Sequence, residues 1–329
     1  MIRFPIMVGL ALVVLAGMMP WWAAWGEPAG TWPERPIRLI VPFQPGSSSD
    51  IVARLVAQKL GERLGQQLVI DNRVGASGNL GSEAVAHAEP DGYTIGLANT
   101  STHAVAVSLS TKLPYDPVKD FAPVAMLGSS PFILSVYPGV PANTISDLIA
   151  LARAKPRGLR YASAGPASAS HLAGALFEKL ADVELTHVPY RGSAQSVLDL
   201  VEGRIEIQFG TIPPTLSLVR EGKARALAVT GANRSAAIAD VPTIAESGVP
   251  GYEASLWQAI VAPAATPSAI IARLNREVLA VLDAPDVKAA LTKQGIELSP
   301  GTPEQLAARI AADIVKWREV IQSTGIRAQ

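Results

Sequence analysis

Three stretches of this chain place small residues, hydroxyls and amides where an apolar run gives way to a helical pattern, a combination suited to holding a small anion. The first is Pro42-Phe43-Gln44-Pro45-Gly46-Ser47-Ser48-Ser49-Asp50. Gly46, with Gln44, Ser47, Ser48 and Ser49 around it, lets a ligand approach backbone N–H groups, and the helix N-terminus behind them favours a carboxylate or phosphate. The second runs from Tyr161 to His171, where Ala164, Gly165, Ser168, Ser170 and His171 shape another anion-binding concavity with the two hydroxyls as donors. The third, Asn99-Thr100-Ser101-Thr102-His103, offers the Asn99 amide and the Ser101 hydroxyl after a buried strand. Arg191 follows a strand end at Tyr190 and supplies a charge for a ligand or for a structural ion pair. Plain helix capping, by Ser49 or Asp50 in the first stretch, accounts for the same residues, and sequence alone leaves both readings open.

Other chemistry has less support. The chain has no cysteine, which removes disulfides, thiolate nucleophiles and cysteine-held metals together. His87, His103, His171 and His187 lie on separate segments with no H-E-x-x-H pattern, so no metal or other cofactor is expected. Gly75, Gly78 and Gly81 do not form G-x-G-x-x-G, and no G-x-x-x-x-G-K-[ST] occurs. A triad of Ser168, His171 and Asp199 can be drawn, but without a G-x-S-x-G elbow a serine hydrolase is only an alternative. Asp199 and Glu202 read as a solvated helix face.

The elements that would carry these loops alternate. Ile37 to Val41 reads as a strand and Asp50 to Leu64 as a helix with Ile51, Leu55, Leu60 and Leu64 on its apolar face. Leu68 to Ile70, a helix around Leu80 to Ala88, and Tyr93 to Ala98 repeat the unit. So do Leu159 to Ser163 with a helix from His171, Leu185 to Val188 with one from Ser193, and Ile205 to Phe209 with one near Thr215. This predicts an α/β fold of parallel sheets covered by helices. Two helices close the chain: one with Thr266 as N-cap and Pro267 at its first position, the other with a Thr302–Gln305 capping box. The predicted arrangement is discontinuous, with 27–130 and 253–329 forming one domain and 131–252 the other. The crossings, and hinges, fall near Gly128 to Pro131 and Gly251 to Ser255.

Composition agrees with a packed globular protein: 329 residues, 49% hydrophobic and 17% charged. Twenty-eight basic residues balance 28 acidic ones, so nothing marks a nucleic-acid partner. Arg3, an apolar run from Ile6 to Met19, and small residues at Ala24 and Gly26 read as a signal peptide, residues 1–26, cleaved after Gly26 for export to the periplasm. The run is about 14 residues, shorter than the roughly 20 of a spanning helix.

Several further stretches carry a resemblance. Trp32-Pro33-Glu34-Arg35-Pro36-Ile37-Arg38 leads to Val41-Pro42-Phe43 and Pro45-Gly46; Asp71-Asn72-Arg73 precedes Gly75, Gly78 and Gly81; Pro90-Asp91-Gly92-Tyr93 follows. Later come His187-Val188-Pro189-Tyr190-Arg191-Gly192, Gly222-Lys223-Ala224-Arg225-Ala226-Leu227-Ala228-Val229-Thr230, Asp240-Val241-Pro242-Thr243 and Glu246-Ser247-Gly248. In this order, across nearly all of 31–326, the sequence resembles the tripartite tricarboxylate transporter substrate-binding receptors, the Bug family of periplasmic solute-binding proteins. The resemblance implies a type II periplasmic-binding-protein fold, two α/β domains with a ligand cleft between them. It implies a small carboxylate held by backbone N–H groups and hydroxyls of the first two loops, and membrane permease subunits of such a transporter as partners. It implies a binding protein rather than an enzyme, expected here as a monomer; a carboxylate sensor for a signalling partner is the alternative. Ser47 stands where family members commonly have a second glycine. Gly210 stands where they often carry an acidic residue able to meet a ligand amine, which favours a plain carboxylate.

Overall fold

In the computed structural model, residues 32–326 are described, apart from Thr111, Ala167, Arg191, Gly192 and Gly325. The predicted leader and its cleavage site lie outside the described residues. The chain begins with β1 (Ile37–Val41), α1 (Ser48–Leu64), β2 (Leu68–Asn72), α2 (Asn79–Ala86) and β3 (Thr94–Asn99). A π-helical turn at Ser101–Val105 runs into α3 (Ala106–Leu109), and β4 (Phe121–Val136) follows. Next come α4 (Ile145–Ala154), β5 (Arg160–Ser163), α5 (Ala169–Ala181), β6 (Thr186–Pro189), α6 (Ser193–Val201), β7 (Ile207–Thr211), α7 (Ile212–Arg220) and β8 (Arg225–Val229). The last elements are β9 (Ser255–Pro263), α8 (Ser268–Asp283), α9 (Pro285–Lys293), β10 (Glu297–Leu298) and α10 (Pro303–Thr324).

The strands form two sheet sections that share β4. In the first the order is β2-β1-β3-β9-β4, with β1, β2 and β3 parallel and β9 antiparallel to β3 and β4. In the second, the Phe132–Val136 end of β4 pairs with β7 and β8, and β7 continues to β5 and β6. Within each section a strand sits between the two parallel strands that follow it, β1 between β2 and β3, β5 between β6 and β7. The chain leaves such a strand toward one neighbour and crosses back over the opposite face to reach the other, so a crevice opens at its carboxyl end. The first candidate loop leaves β1 and the second leaves β5.

Side-chain alternation fixes which way each strand residue looks. A Cβ added to Gly96 would lie 2.5 Å from Val85 of α2, so Gly96 and its period-two partner Ala98 face α2. Leu97 and Asn99 therefore face the opposite side, where the right-handed β1-α1-β2 crossover puts α1. Ile40, Ala98, Val85, Trp257, Ile310 and Trp317 share the core on the α2 side.

Several elements depart from expectation. Helix α1 starts at Ser48 and buries Val52, Ala53, Val56, Ala57, Leu60 and Leu64, with Ile51 and Leu55 only half-buried at the edge of that stripe. The two alanines let its backbone approach the sheet. Thr266 does not cap α8. Pro267 holds the N-cap position, its carbonyl receives the N–H groups of Ile270 and Ile271, and Thr266 is buried. The Thr302–Gln305 box is present, with Thr302 N–H donating to Gln305 Oε1 and Gln305 N–H to Thr302 Oγ1. Three helices rather than two close the chain, because Pro285 starts the additional helix α9 one residue beyond α8.

Candidate functional site

The first loop is organised by Asp50. Ser47, not Ser49 or Asp50, is the N-cap of α1, and its hydroxyl accepts from Asp50 N–H. The buried Asp50 carboxylate in turn accepts from Gly46 N–H (2.9 Å), Arg54 Nε (2.9 Å) and Asn72 Nδ2 (2.9 Å). Burial pushes the Asp50 carboxyl up, but Arg54, Gly46 and Asn72 together outweigh it and hold the group below the ordinary carboxylate range. The ion pair leaves this corner without net charge. Gly46 at φ +79° is in the left-handed region that the turn requires. Gln44 is exposed, and its carbonyl takes Ser47 N–H. The N–H groups of Ser48 and Ser49, the first two positions of α1, have no acceptor among the described residues, and neither hydroxyl has a hydrogen-bond partner there.

The second loop is closed by its own serines. Ser168 is the N-cap of α5: its hydroxyl accepts from His171 N–H (3.2 Å) and donates to Gly165 O (2.8 Å). Ala164 N–H donates to Ser170 Oγ (3.0 Å) and Gly165 N–H to Ser163 Oγ (3.1 Å). The Ser168 hydroxyl, Ala164 N–H and Gly165 N–H, read from sequence as ligand donors, thus hold the loop itself. Ser170 N–H, at the second position of α5, has no acceptor among the described residues.

The third stretch connects the other two. Asn99 is buried, and its Oδ1 accepts from Ser101 N–H (2.9 Å) and Thr102 N–H (3.1 Å). Ser101 Oγ accepts from Ala169 N–H (3.3 Å), a bond from the first sheet section to the start of α5 in the second. A Cβ on Gly78 would lie 2.7 Å from Thr102 and 3.1 Å from Phe43, so the first and third stretches meet over that glycine. Thr100 Oγ1 accepts from Trp257 N–H (3.0 Å), which ties the third stretch to β9. Arg191 lies outside the described residues.

Histidines behind the second loop are neutral. His171 and His187, remote in sequence, stack with centroids 3.7 Å apart and planes at 5°, and His187 Nε2 meets Ser163 Oγ at 2.7 Å. Burial, with the adjacent His187 ring, pushes His171 down to about 3, and burial pushes His187 down to about 4. Parallel stacked rings do not direct their nitrogens at one point between them, and no group of three His, Cys, Asp or Glu suited to a metal occurs among the described residues. Asp199 is held by Tyr190 Oη (2.6 Å) and Arg204 (3.0 Å), so its carboxylate is engaged away from the drawn triad. A surface hollow between α8 and α10, lined by Leu282, Leu298, Thr302 and Gln305 among others, contains none of the loop residues.

Among the described residues, the arrangement therefore presents two helix starts with unsatisfied N–H groups and no adjacent net charge. Each helix N-terminus carries about half a positive elementary charge, so two together match one carboxylate. The α7 start at the same end of the second section is a poor donor, since Pro213 and Pro214 in its first turn have no N–H. Asp50 and Asn72 are organisers that spacing did not reveal; their appearance at the ends of α1 and β2 was the available signal. We expect Asp50→Ala to strand Gly46 N–H, to leave Asn72 Nδ2 only the Phe43 carbonyl, and to cost about 1–3 kcal/mol in urea unfolding. An unchanged midpoint would show that the loop does not depend on this carboxylate.

Comparison with known proteins agrees with this geometry. Residues 52–326 match the tripartite tricarboxylate transporter family receptor. BugT of Bordetella pertussis (strain Tohama I) is 38% identical over 300 residues, covering 91% of this chain and 92% of its own. Among solved structures, R. palustris Rpa4515 with adipate aligns at TM-score 0.85 and 39% identity, covering 91% of this chain and all (100%) of that one. MatC (Rpa3494) from Rhodopseudomonas palustris with bound malate aligns at TM-score 0.80 and 35% identity, covering 88% and 100%. The fold is thus the periplasmic-binding-protein fold, two α/β lobes flanking a cleft, with β4 common to both sheets. With its family match across most of its length, the chain belongs to the tripartite tricarboxylate transporter family receptors, periplasmic solute-binding proteins that include the Bug proteins.

Proposed function

We propose that this receptor captures a small carboxylate between the Ser48–Ser49 start of α1 and the Ser170 start of α5, and passes it to the membrane permease subunits of a tripartite tricarboxylate-type transporter. The observation that carries the reading is the pair of helix starts, each at a crevice beside a central parallel strand and each with N–H groups lacking acceptors. Adipate and malate on two similar proteins support a carboxylate as the ligand class. Binding needs no nucleophile or metal, because fixed dipoles supply the attraction, and the receptor acts as a monomer without catalysis. The lobes are 27–130 with 253–329, and 131–252, hinged where β4 and β9 cross. Export removes residues 1–26, so that secreted protein begins at Glu27, which intact mass of periplasmic material would establish or refute.

Among the described residues no helix is long and apolar enough to cross a membrane. The deciding experiment is a thermal-shift screen of small mono-, di- and tricarboxylates on purified protein. A ligand at a hundred times its dissociation constant stabilises the fold by about 2.7 kcal/mol, a shift melting curves resolve. Small-angle scattering of the same sample should show a smaller radius of gyration with the hit than without it. If no carboxylate raises the melting temperature, the reading fails.

A further inference from the structure

Gln258 is 1% exposed, and among the described residues neither Nε2 nor Oε1 of its carboxamide has a hydrogen-bond partner. Leaving both ends of a buried amide unsatisfied costs several times what one ordinary hydrogen bond contributes, so such a group in a strand interior calls for a partner. Its position says where that partner must come from. Trp257 sends its Nε1 to Asp313 of α10 (2.6 Å), so Gln258, the next residue along β9, faces away from α10, toward the α1 side. In the ladder it stands opposite Asn99 on β3 and Gly128 on β4. Asn99 faces α1 at the carboxyl end of β3, beside the crevice where the Ser48–Ser49 N–H groups lie, and its Nδ2 makes no hydrogen bond among the described residues. Two residues beyond Gly128 on the same strand face is Ser130, 2% exposed, whose hydroxyl is likewise unpartnered.

We infer that Gln258 is a specificity-determining residue in the wall of the ligand cleft, reading a hydroxyl carried by the ligand beside its carboxylate. This rests on the carboxylate-receptor reading above. The chemistry follows from the two ends of the amide. Nε2, like Asn99 Nδ2, is a donor and suits a carboxylate oxygen, whereas Oε1 is an acceptor, and an ionised carboxylate has no proton to offer it. A ligand hydroxyl satisfies both ends, since it donates to Oε1 while its lone pairs accept. An ammonium in the same place would need a countercharge, and Asp50, the carboxylate of the first loop, is already paired with Arg54. Gln258 lies on a strand that pairs with β4 along the crossing between the sections, so parting of the lobes uncovers it for the incoming ligand.

The test compares matched ligands that differ by one hydroxyl: succinate with malate and glutarate with 2-hydroxyglutarate, by calorimetry on wild type and Gln258→Leu. Wild type should bind the hydroxylated member of a pair about tenfold more tightly, the worth of one hydrogen bond to an otherwise unpaired group. Gln258→Leu should bind both members alike. It replaces an unpaired amide by an apolar group of similar size, so its melting temperature should equal or exceed that of wild type, which shows that lost discrimination is not lost folding. Equal binding of both members by wild type, or discrimination that survives in Gln258→Leu, overturns the assignment while leaving the carboxylate reading intact. If neither pair binds and the wider carboxylate screen is also blank, both fall; if only other carboxylates bind, the hydroxyl assignment alone falls.

Discussion

Lowering the pH from 7 to 5 should destabilise the folded protein by about 2 kcal/mol or more, through histidines that the fold keeps neutral. His103 is 1% exposed, between Tyr115 and Phe121, with Nδ1 on Thr102 Oγ1 at 2.9 Å, and burial pushes it down to about 3. His171 and His187 are pushed to about 3 and about 4 by burial, His171 also by its neighbour's ring. An unfolded histidine binds its proton near pH 6.5, whereas these stay unprotonated until the pH falls much further. Below 6.5 the unfolded chain therefore binds more protons than the native one, and stability decreases as pH falls toward the folded values. His103 alone contributes a loss on the order of 2 kcal/mol by pH 5.

The carboxylates reinforce this only at lower pH. Asp50, whose folded pKa is depressed, contributes stability that is lost as pH falls through its folded value, below the ordinary carboxylate range. Glu178 acts in the opposite sense, because burial raises its pKa and its protonation in acid favours the folded state. Urea unfolding at pH 7 and pH 5 measures the sum, and His103→Met isolates one part. The variant loses the Thr102 bond at both pH values, so only the difference matters, and that difference should shrink by about 2 kcal/mol. A wild-type midpoint that does not move between pH 7 and pH 5 would mean these rings are not held neutral.

Sequence reading located the loops because glycine and serine cluster where an apolar β-branched run meets a helical pattern, a local signal. Which N–H groups remain for a ligand was not local. Gly46 N–H is taken by Asp50 four residues on, and Ala169 N–H by Ser101, a residue of the other sheet section. The same limit hid the His171–His187 stack, which depends on α5 packing over β6. Strand β4 was legible only as a crossing, since Pro123, Gly128 and Pro131 interrupt its apolar pattern; pairing with β9 over Phe121–Pro131 and with β7 and β8 beyond it holds it extended for 16 residues. Gln258 was unreadable for a related reason: a single amide in an apolar run gives no sign of facing a cleft until the register with Asn99 is known.

The glycines at 75, 78 and 81, which match no phosphate-binding spacing, support a second large effect. Gly81 lies inside α2, where replacing glycine by alanine normally stabilises a helix by about 1 kcal/mol. Here a Cβ would lie 2.7 Å from Pro42 Cα and 2.8 Å from Arg73 O, both backbone atoms that cannot swing aside. Gly81→Ala must therefore push α2 away from the first residue of the first loop, and we expect a net loss of about 1–3 kcal/mol despite the gain in helix propensity. The sign is what decides between the two effects. Because Pro42 leads into Gln44 and Gly46, the displacement should also weaken binding of any ligand that stabilises wild type, measured with the variant still folded at low temperature. Gly65→Ala is the comparison: its left-handed φ of +71° is strained by a side chain, but no atom lies within 4 Å of the added carbon. It should cost about 1 kcal/mol and leave the ligand's dissociation constant unchanged. A Gly81→Ala protein as stable as wild type, with binding intact, would show that α2 does not set the position of the first loop.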